Sequence, residues 1–431
     1  ENDKTTILHT SLISSSSSVD LLKTRNMKFS AIAFLFTATS VAAFSPAGTA
    51  SRTSALFSTT EVETKTNAPV FDEVCETTGV TLTRFMAEVA MLNPELSELT
   101  TLFGAIDTAC KAITNLVKRS QLPSSETLGL EGEINIQGED QKKLDVITND
   151  LLKRALRFSG KIGVLASEEE DEPVDLASGS EGKSSELIVE ETDKYVVVFD
   201  PLDGSSNVDA GIPTGTIIGI YDHDENCLVD GEESTDATEN CLSNTLQPGV
   251  NLVAAAYCLY SSSTFFVLTL GNGVYGFTLD DQIGEFVLSH PNIKIPEDSS
   301  IISFNEANVE RWDAPMKETL YKWREGTGAS GKRYSSRYIG SMVGDVHRTL
   351  LYGGVFGYPG DTKNLKGKLR LLYEGAPMSF IMEQAGGLST TGTKRVMEIV
   401  PEVVHQRVPI IMGSKNDIQE VIDAYAEAGA N

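Results

Sequence analysis

The chain lacks the spacing that holds zinc. Its five histidines (His9, His223, His290, His347, His405) and five cysteines form no CxxC, HxxxH or HExxH pattern, which excludes the usual structural and catalytic zinc sites. Positive charge is also scarce. Against 61 Asp and Glu stand 35 Lys and Arg, a formal net charge of −26, and so acidic a chain is a poor partner for nucleic acid, whose phosphates attract basic surfaces. An anionic ligand gains nothing from that net charge either, so local cations must capture it. After Phe44 no apolar run is long enough to span a bilayer, which leaves no membrane association for a mature chain. Gly386-Gly387 has no GxGxxG or GxxxxGKS around it, so no nucleotide loop is read there. No internal repeat is visible.

What the chain does have is carboxylates at strand ends. Lys194-Tyr195-Val196-Val197-Val198-Phe199 reads as a buried strand and runs into Asp200-Pro201-Leu202-Asp203-Gly204-Ser205-Ser206-Asn207. In layered α/β proteins ligands bind at the carboxyl ends of strands, and Pro, Gly and two Ser directly afterwards make a turn that bares backbone N–H groups and hydroxyls. Alone, the motif could be a surface turn capping a helix. A second cluster, Ser167-Glu168-Glu169-Glu170, follows another apolar run, Ile162 to Ala166, and a third acidic stretch spans Glu139-Asp140 to Asp145. Carboxylates converging on one site must take up protons or bind cations, and all-oxygen ligands favour Mg²⁺, with Mn²⁺ as a substitute.

Further along, Gly367-Lys368-Leu369-Arg370-Leu371-Leu372-Tyr373-Glu374 reads as an alternating strand with Lys368, Arg370, Leu372 and Glu374 on one face. Two cations beside one acid suit a phosphate bound next to a metal. A half-exposed strand with a polar row is the plainer alternative. Residues 71–120 read as two helices: Phe85, Val89 and Leu92, then Leu102, Ile106, Ala109, Ile113 and Leu116, recur at helical spacing. Trp312-Asp313-Ala314-Pro315 reads as the start of a charged surface helix. Cys75, Cys110 and Cys258 sit in apolar contexts and read as inert core thiols.

Asp200 to Asn207, with the Ser-Glu-Glu upstream, resembles the motif of the lithium-sensitive, magnesium-dependent sugar and inositol phosphatases. Longer blocks narrow the resemblance to fructose-1,6-bisphosphatases: Thr81 to Phe85, Gln141 to Asp150, Lys194 to Asn207, Gln247 to Tyr260, Ile283 to Phe286, Arg337 to Phe356 and Gly367 to Gly387. The similarity runs from about Phe71 to Tyr425. It implies an α/β fold, a five-layer αβαβα sandwich, a homotetramer, and Mg²⁺-dependent hydrolysis of the 1-phosphate of fructose 1,6-bisphosphate. It implies metal ligation by Glu168, Glu169, Asp200, the Leu202 carbonyl, Asp203 and Glu374. Asp145 and Glu169 become candidate bases for the attacking water, and Glu139 or Asp140 the carboxylate of a loop, Leu128 to Gln141, that closes over the site. Gly204, Ser205, Ser206 and Arg370 would hold the reacting phosphate, and Lys368 the sugar. Asn305, Arg337, Tyr338 and Tyr358 would surround the 6-phosphate, Arg337 reaching across from a neighbouring subunit. Sedoheptulose-1,7-bisphosphatase, an inositol-type monophosphatase and a non-catalytic redox-responsive binding protein are the competing readings.

The ends and one insertion complete the expectations. Residues 1–26 contain no Met and a Ser14 to Ser18 run, and read as a leader ahead of Met27. Met27-Lys28 and the apolar Ala31 to Phe44 resemble a signal peptide, and the acid-free, Ser/Thr-rich Phe44 to Thr60 a transit peptide. Joined at Ala43-Phe44-Ser45-Pro46, residues 27–66 resemble a bipartite presequence leading to the plastid stroma. The folded part divides near 295 into an N-terminal domain (67–295) and a C-terminal sugar-phosphate domain (296–431). Between Tyr221 and Gln247 lies an insertion, 222–246, with Cys227, Cys241, eight acids from Asp222 to Glu239 and no Lys or Arg. It resembles the redox loop of chloroplast fructose bisphosphatases, which thioredoxin reduces, and implies a Cys227–Cys241 disulfide. Leu246 stands near the place where that loop usually has a third Cys.

Overall fold

Tyr195–Asp203 is buried along its whole length, as a strand covered on both faces must be. Its side chains alternate between two cores: Val197 and Phe199 belong to one hydrophobic cluster, Val196 and Val198 to another. In a computed structural model the chain is described over residues 79–122, 130–134, 140–170, 173–175, 194–223 and 242–429. The presequence, Cys75, Glu139, Cys227 and Cys241 lie outside the described residues.

A short antiparallel ribbon comes first, β1 (Leu130–Ile134) with β2 (Asp140–Lys142). An eight-stranded sheet follows, built from β3 (Ile162–Ser167), β4 (Val174–Asp175), β5 (Tyr195–Asp203), β6 (Thr214–Asp222), β7 (Leu252–Tyr260), β8 (Thr264–Thr269), β9 (Tyr275–Asp280) and β10 (Glu285–His290). Its order is β10-β9-β8-β7-β6-β5-β3-β4. From β5 to β10 it is an antiparallel meander, while β3 and β5 run parallel, so their carboxyl ends emerge side by side. A second sheet has the order β12-β11-β13-β17-β15, from β11 (Ile301–Ser303), β12 (Ser335–Ser336), β13 (Val355–Tyr358), β15 (Leu388–Thr390) and β17 (Ile410–Gly413). The remaining pair is β14 (Leu369–Arg370) with β16 (Arg407–Val408).

Helices cover both sheets. On one face of the large sheet lie α1 (Leu82–Leu92), α2 (Ser97–Arg119) and α3 (Lys143–Phe158), all in the cluster that holds Val197 and Phe199. The opposite face shares its core with α5 (Met342–Tyr352), α6 (Ala376–Gln384) and the inner side chains Phe356, Ile410 and Met412 of the small sheet. Val355 and Ile411 point the other way, into a third core with α4 (Ala314–Glu325) and α7 (Lys415–Glu427). Five layers result, αβαβα, as the resemblance implies. The two helices expected over 71–120 are α1 and α2. Thr81 caps the first through the Arg84 N–H, and Leu92, expected inside, is 47% exposed because α1 ends there, before Pro94. Asp313 caps α4 as its sequence predicts, accepting from the Met316 N–H at 3.2 Å. Cys110 and Cys258 are buried free thiols.

Candidate active site

In a regular strand, residues three apart face opposite sides, so Asp200 and Asp203 could not meet. A bulge in β5 changes this. Asp200 pairs with Ile217 but Asp203 with Gly215, so three steps on β5 answer two on β6. The extra residue, at Pro201-Leu202, turns Asp203 back beside Asp200, and a proline that cannot join the ladder is tolerated at such a place. The Leu202 N–H then donates to Asp200 Oδ1 at 3.0 Å. Gly204 follows with φ +73° and begins the 3₁₀ turn Ser205–Ala210. Next door, the carboxyl end of β3 delivers Glu168 and Glu169, the Glu168 N–H bonding the Phe199 carbonyl at 3.1 Å.

From the other side comes Glu374, by a route the alternating pattern does not foresee. The strand expected over 367–374 is confined to Leu369–Arg370, and Leu371–Gly375 forms a π-helical turn. Lys368, Arg370, Leu372 and Glu374 therefore do not share one strand face. The wider turn folds Glu374 back so that its carboxylate accepts from the Arg370 backbone N–H. Oxygens of Asp200, Asp203 and Glu374 all lie within 4.8 Å of one another. π turns recur at functional sites because they insert a residue into a helix and re-aim a side chain.

These groups open onto a cleft of about 320 Å³, lined also by Asp145, Glu168, Glu169, Gly204, Ser205, Ser206, Tyr338, Tyr358, Lys368 and Arg370. Arg370 Nη2 pairs with Glu168 at 3.1 Å. Burial opposes the Arg370 charge, but Glu374, Glu168 and Asp200 outweigh it and hold the guanidinium firmly protonated. The carboxyls are pushed the other way. Burial, then the charges of Glu168, Asp203 and Glu374, raise Asp200 far above the usual range. Burial moves Asp203 to about 6 against the Val343 N–H, which donates at 3.3 Å. Burial, opposed by Arg370 and reinforced by Glu168 and Asp203, takes Glu374 to about 8. Such a cluster resists ionisation unless a cation enters, and its hard, closely spaced oxygens fit a divalent metal. Ser205 Oγ donates to Asp145 Oδ2 at 3.2 Å. In the same lining, the Tyr338 and Tyr358 hydroxyls meet at 2.5 Å, and Lys368 Nζ sits 5.8 Å from the centre of the Tyr358 ring.

Most of the expected site residues are thus brought together. Among the described residues two are not: Asn305 and Arg337 do not line this cleft, and Arg337 is exposed. Glu170 turns away to Asn149 and Lys153, at 2.8 and 2.7 Å. Of the loop 128–141 the structure describes only the ribbon's backbone. Sequence reading missed Asn207, Ser341, Met342 and Asp345, which also line the cleft. Ser341 caps α5 through the Gly344 N–H at 3.3 Å, and the serine before an apolar helix was the available signal.

A layered α/β body whose strand ends gather carboxylates opposite a Lys, an Arg and two Tyr defines a metal-assisted phosphate-ester hydrolase. Residues 80–291 match the sequence model of the fructose-1,6-bisphosphatase N-terminal domain, and 295–426 that of the C-terminal domain. The chain belongs to the fructose-1,6-bisphosphatase family, enzymes that need a divalent metal. It is 51% identical to chloroplastic fructose-1,6-bisphosphatase of Brassica napus over 344 residues, 79% of this chain and 80% of that one. With Arabidopsis thaliana chloroplastic fructose-1,6-bisphosphatase 1 it shares 50% over 345 residues, 79% of each. The holo structure of Leishmania major fructose-1,6-bisphosphatase superposes with a TM-score of 0.72 at 39% identity, covering 81% of this chain and 100% of that one. The likeness to chloroplastic enzymes supports a plastid location.

Proposed function

We propose that the chain hydrolyses the 1-phosphate of fructose 1,6-bisphosphate, giving fructose 6-phosphate and inorganic phosphate, in the plastid stroma. The observation that carries this reading is the make-up of one cleft: the buried carboxylate cluster shares its lining with two cations, Arg370 and Lys368, and with the paired Tyr338 and Tyr358. Mg²⁺, or Mn²⁺ in its place, held by Glu168, Glu169, Asp200, the Leu202 carbonyl, Asp203 and Glu374, would supply Lewis acidity at the phosphoryl oxygens. Arg370 neutralises charge on the reacting phosphate, and the N–H groups and hydroxyls of Gly204 to Ser206 orient it. Asp145 and Glu169, in the lining of the same cleft, would take a proton from the attacking water. Asn305, Arg337 from a neighbouring subunit, Tyr338 and Tyr358 receive the 6-phosphate in a homotetramer, and Lys368 the sugar. Glu139 or Asp140 brings a further carboxylate over the site. The acidic insertion with Cys227 and Cys241 makes the enzyme thioredoxin-responsive. The test is phosphate release from fructose 1,6-bisphosphate and sedoheptulose 1,7-bisphosphate with Mg²⁺, with and without a dithiol. No release from the six-carbon substrate under reducing conditions would overturn the reading.

A further inference from the structure

Asp345 is a fully buried carboxylate in the first turn of α5, and the reading above gives it no role. Its oxygens collect N–H and O–H donors from three separate elements. Oδ1 accepts from Ser303 Oγ at the end of β11 (2.5 Å), from the Ile339 N–H (3.0 Å) and from Arg348 Nη2 on its own helix (2.8 Å). Oδ2 accepts from the Gly340 N–H at 2.9 Å and lies 3.2 Å from the Ile339 nitrogen. Ser303 Oγ is also 3.1 Å from the Arg337 carbonyl oxygen and takes a bond from Arg348 Nη2 at 2.9 Å. A buried acid with one cationic partner is stabilised only when its lone pairs are filled in this way.

The segment so gripped, 337–341, connects the tyrosine pair of the cleft with the turn after Asp203. Consecutive N–H groups of Ile339 and Gly340 converge on one carboxylate, a bend that Gly340 makes possible with φ +85°. Tyr338, one residue before, reaches Tyr358. The Gly340 carbonyl accepts from Asn207 Nδ2 at 3.0 Å, in the turn after Asp203, and two residues beyond Ser341 the Val343 N–H meets Asp203 itself. The spacing between the carboxylate cluster and the two tyrosines therefore depends on how this segment is held. We propose that Asp345 is a positioning residue that fixes the 337–341 segment and so presents Tyr338 to the phosphate remote from the reaction in its own cleft, and Arg337 to that of a neighbouring chain; the proposal rests on the bisphosphatase reading above.

The two products of that reading distinguish the two groups of residues. Inorganic phosphate would be recognised by the carboxylate cluster and its metal, fructose 6-phosphate by the tyrosines. Asp345→Asn keeps the side chain's size but turns an NH₂ toward backbone N–H groups, donor against donor. In the full-length enzyme with Mg²⁺ under reducing conditions, we expect KM for fructose 1,6-bisphosphate and the inhibition constant of fructose 6-phosphate to rise about tenfold, with kcat within about threefold. The inhibition constant of inorganic phosphate should stay within about twofold. Ser303→Ala, which removes one donor and buries no new charge, should shift the same two constants about threefold and decides the matter if Asp345→Asn does not fold. Equal shifts in both inhibition constants, or none in that of fructose 6-phosphate, would overturn the proposal. A wild-type enzyme that does not act on the bisphosphate overturns the functional reading itself, and this one with it.

Discussion

At the scale of single residues, Asp200, Asp203 and Glu374 are held close together out of water, where like charges cannot all ionise. Their elevated affinity for protons is the counterpart of an affinity for a divalent cation. Asp203→Asn and Glu374→Gln each remove a proposed metal-ligating carboxylate without changing side-chain size, and should lower kcat at saturating substrate by at least about a hundredfold, the upper range seen even for outer-shell changes at metal sites. Circular dichroism and the unfolding midpoint should stay near wild type, because neutral amides relieve the repulsion. Near-normal turnover in either variant would dispose of the metal assignment. The same shifts set a pH dependence. With folded-state values of about 6 for Asp203 and about 8 for Glu374, both above the ordinary carboxyl range, the metal-free folded chain binds more protons than the unfolded one. Its stability then falls as pH rises from about 4.5 to about 8. Cation binding must displace those protons, so the rise in Tm on adding Mg²⁺ should be larger near pH 8 than near pH 6. Thermal melts of the chelated and Mg²⁺-loaded protein at the two pH values measure it, and a Tm gain that shrinks with pH would contradict the assignment.

Two departures from regular geometry build the site at the scale of elements, and they differ in how legible they are. The β5 bulge is half visible in sequence: a Pro inside a Val-rich strand followed by Asp-Gly announces an interruption, and acids three apart mark what it serves. The π turn at Leu371–Gly375 is not visible, because Lys368 to Glu374 satisfies the alternation of a strand equally well. Only the neighbours decide. Gly375 lies against Ile410, and a Cβ there would come within 2.6 Å of the Ile410 Cδ1. Packing on the second sheet, a long-range contact, thus overrides local periodicity. Asp345 was missed for a similar reason: an acid on a helix between Met342, Val343 and Val346 passes for a solvent-facing residue until its donors are in place. The bulge also depends on its partner strand. Gly215 sits opposite Asp203, and a Cβ there would stand 2.7 Å from both the Cys258 carbonyl oxygen and Val343 Cγ1. Backbone cannot yield as a flexible side chain does. Gly215→Ala should cost about 1–3 kcal/mol, seen as a lower urea midpoint at unchanged slope, and should weaken Mg²⁺ activation by shifting Asp203. An alanine variant as stable as wild type would mean that β6 and α5 separate freely.

Across the whole molecule the layering was legible and the regulation was not. Val- and Ala-rich strands with both faces apolar require helices on either side, and the spaced family blocks give the order of the layers. By contrast the insertion after Tyr221 carries acids and two cysteines but no apolar pattern, so neither periodicity nor core packing assigns it a place, and Cys227 and Cys241 lie outside the described residues. What surrounds it is described. The Gln247 side chain donates to the carbonyls of Asp222 and Asn244, at 3.2 and 2.8 Å. Two residues on, a Cβ at Gly249 would fall 3.2 Å from that of Ala376, which begins the helix directly after the Glu374 turn. We expect oxidation to join Cys227 to Cys241 and lower activity, and reduction to restore it. Closing a loop of about 15 residues removes roughly 3 kcal/mol of chain entropy, enough to hold an acidic segment in one arrangement and to strain the strands it joins. Eight acids in the same stretch of sequence, with no Lys or Arg among them, would disfavour the thiolate, so uncatalysed exchange near neutral pH should be slow and a thioredoxin should accelerate it. Cys227→Ser and Cys241→Ser should each give an enzyme active without reductant. Activity against redox potential, measured for both variants and wild type, decides: if either variant keeps the wild-type midpoint, the switch does not run through this pair.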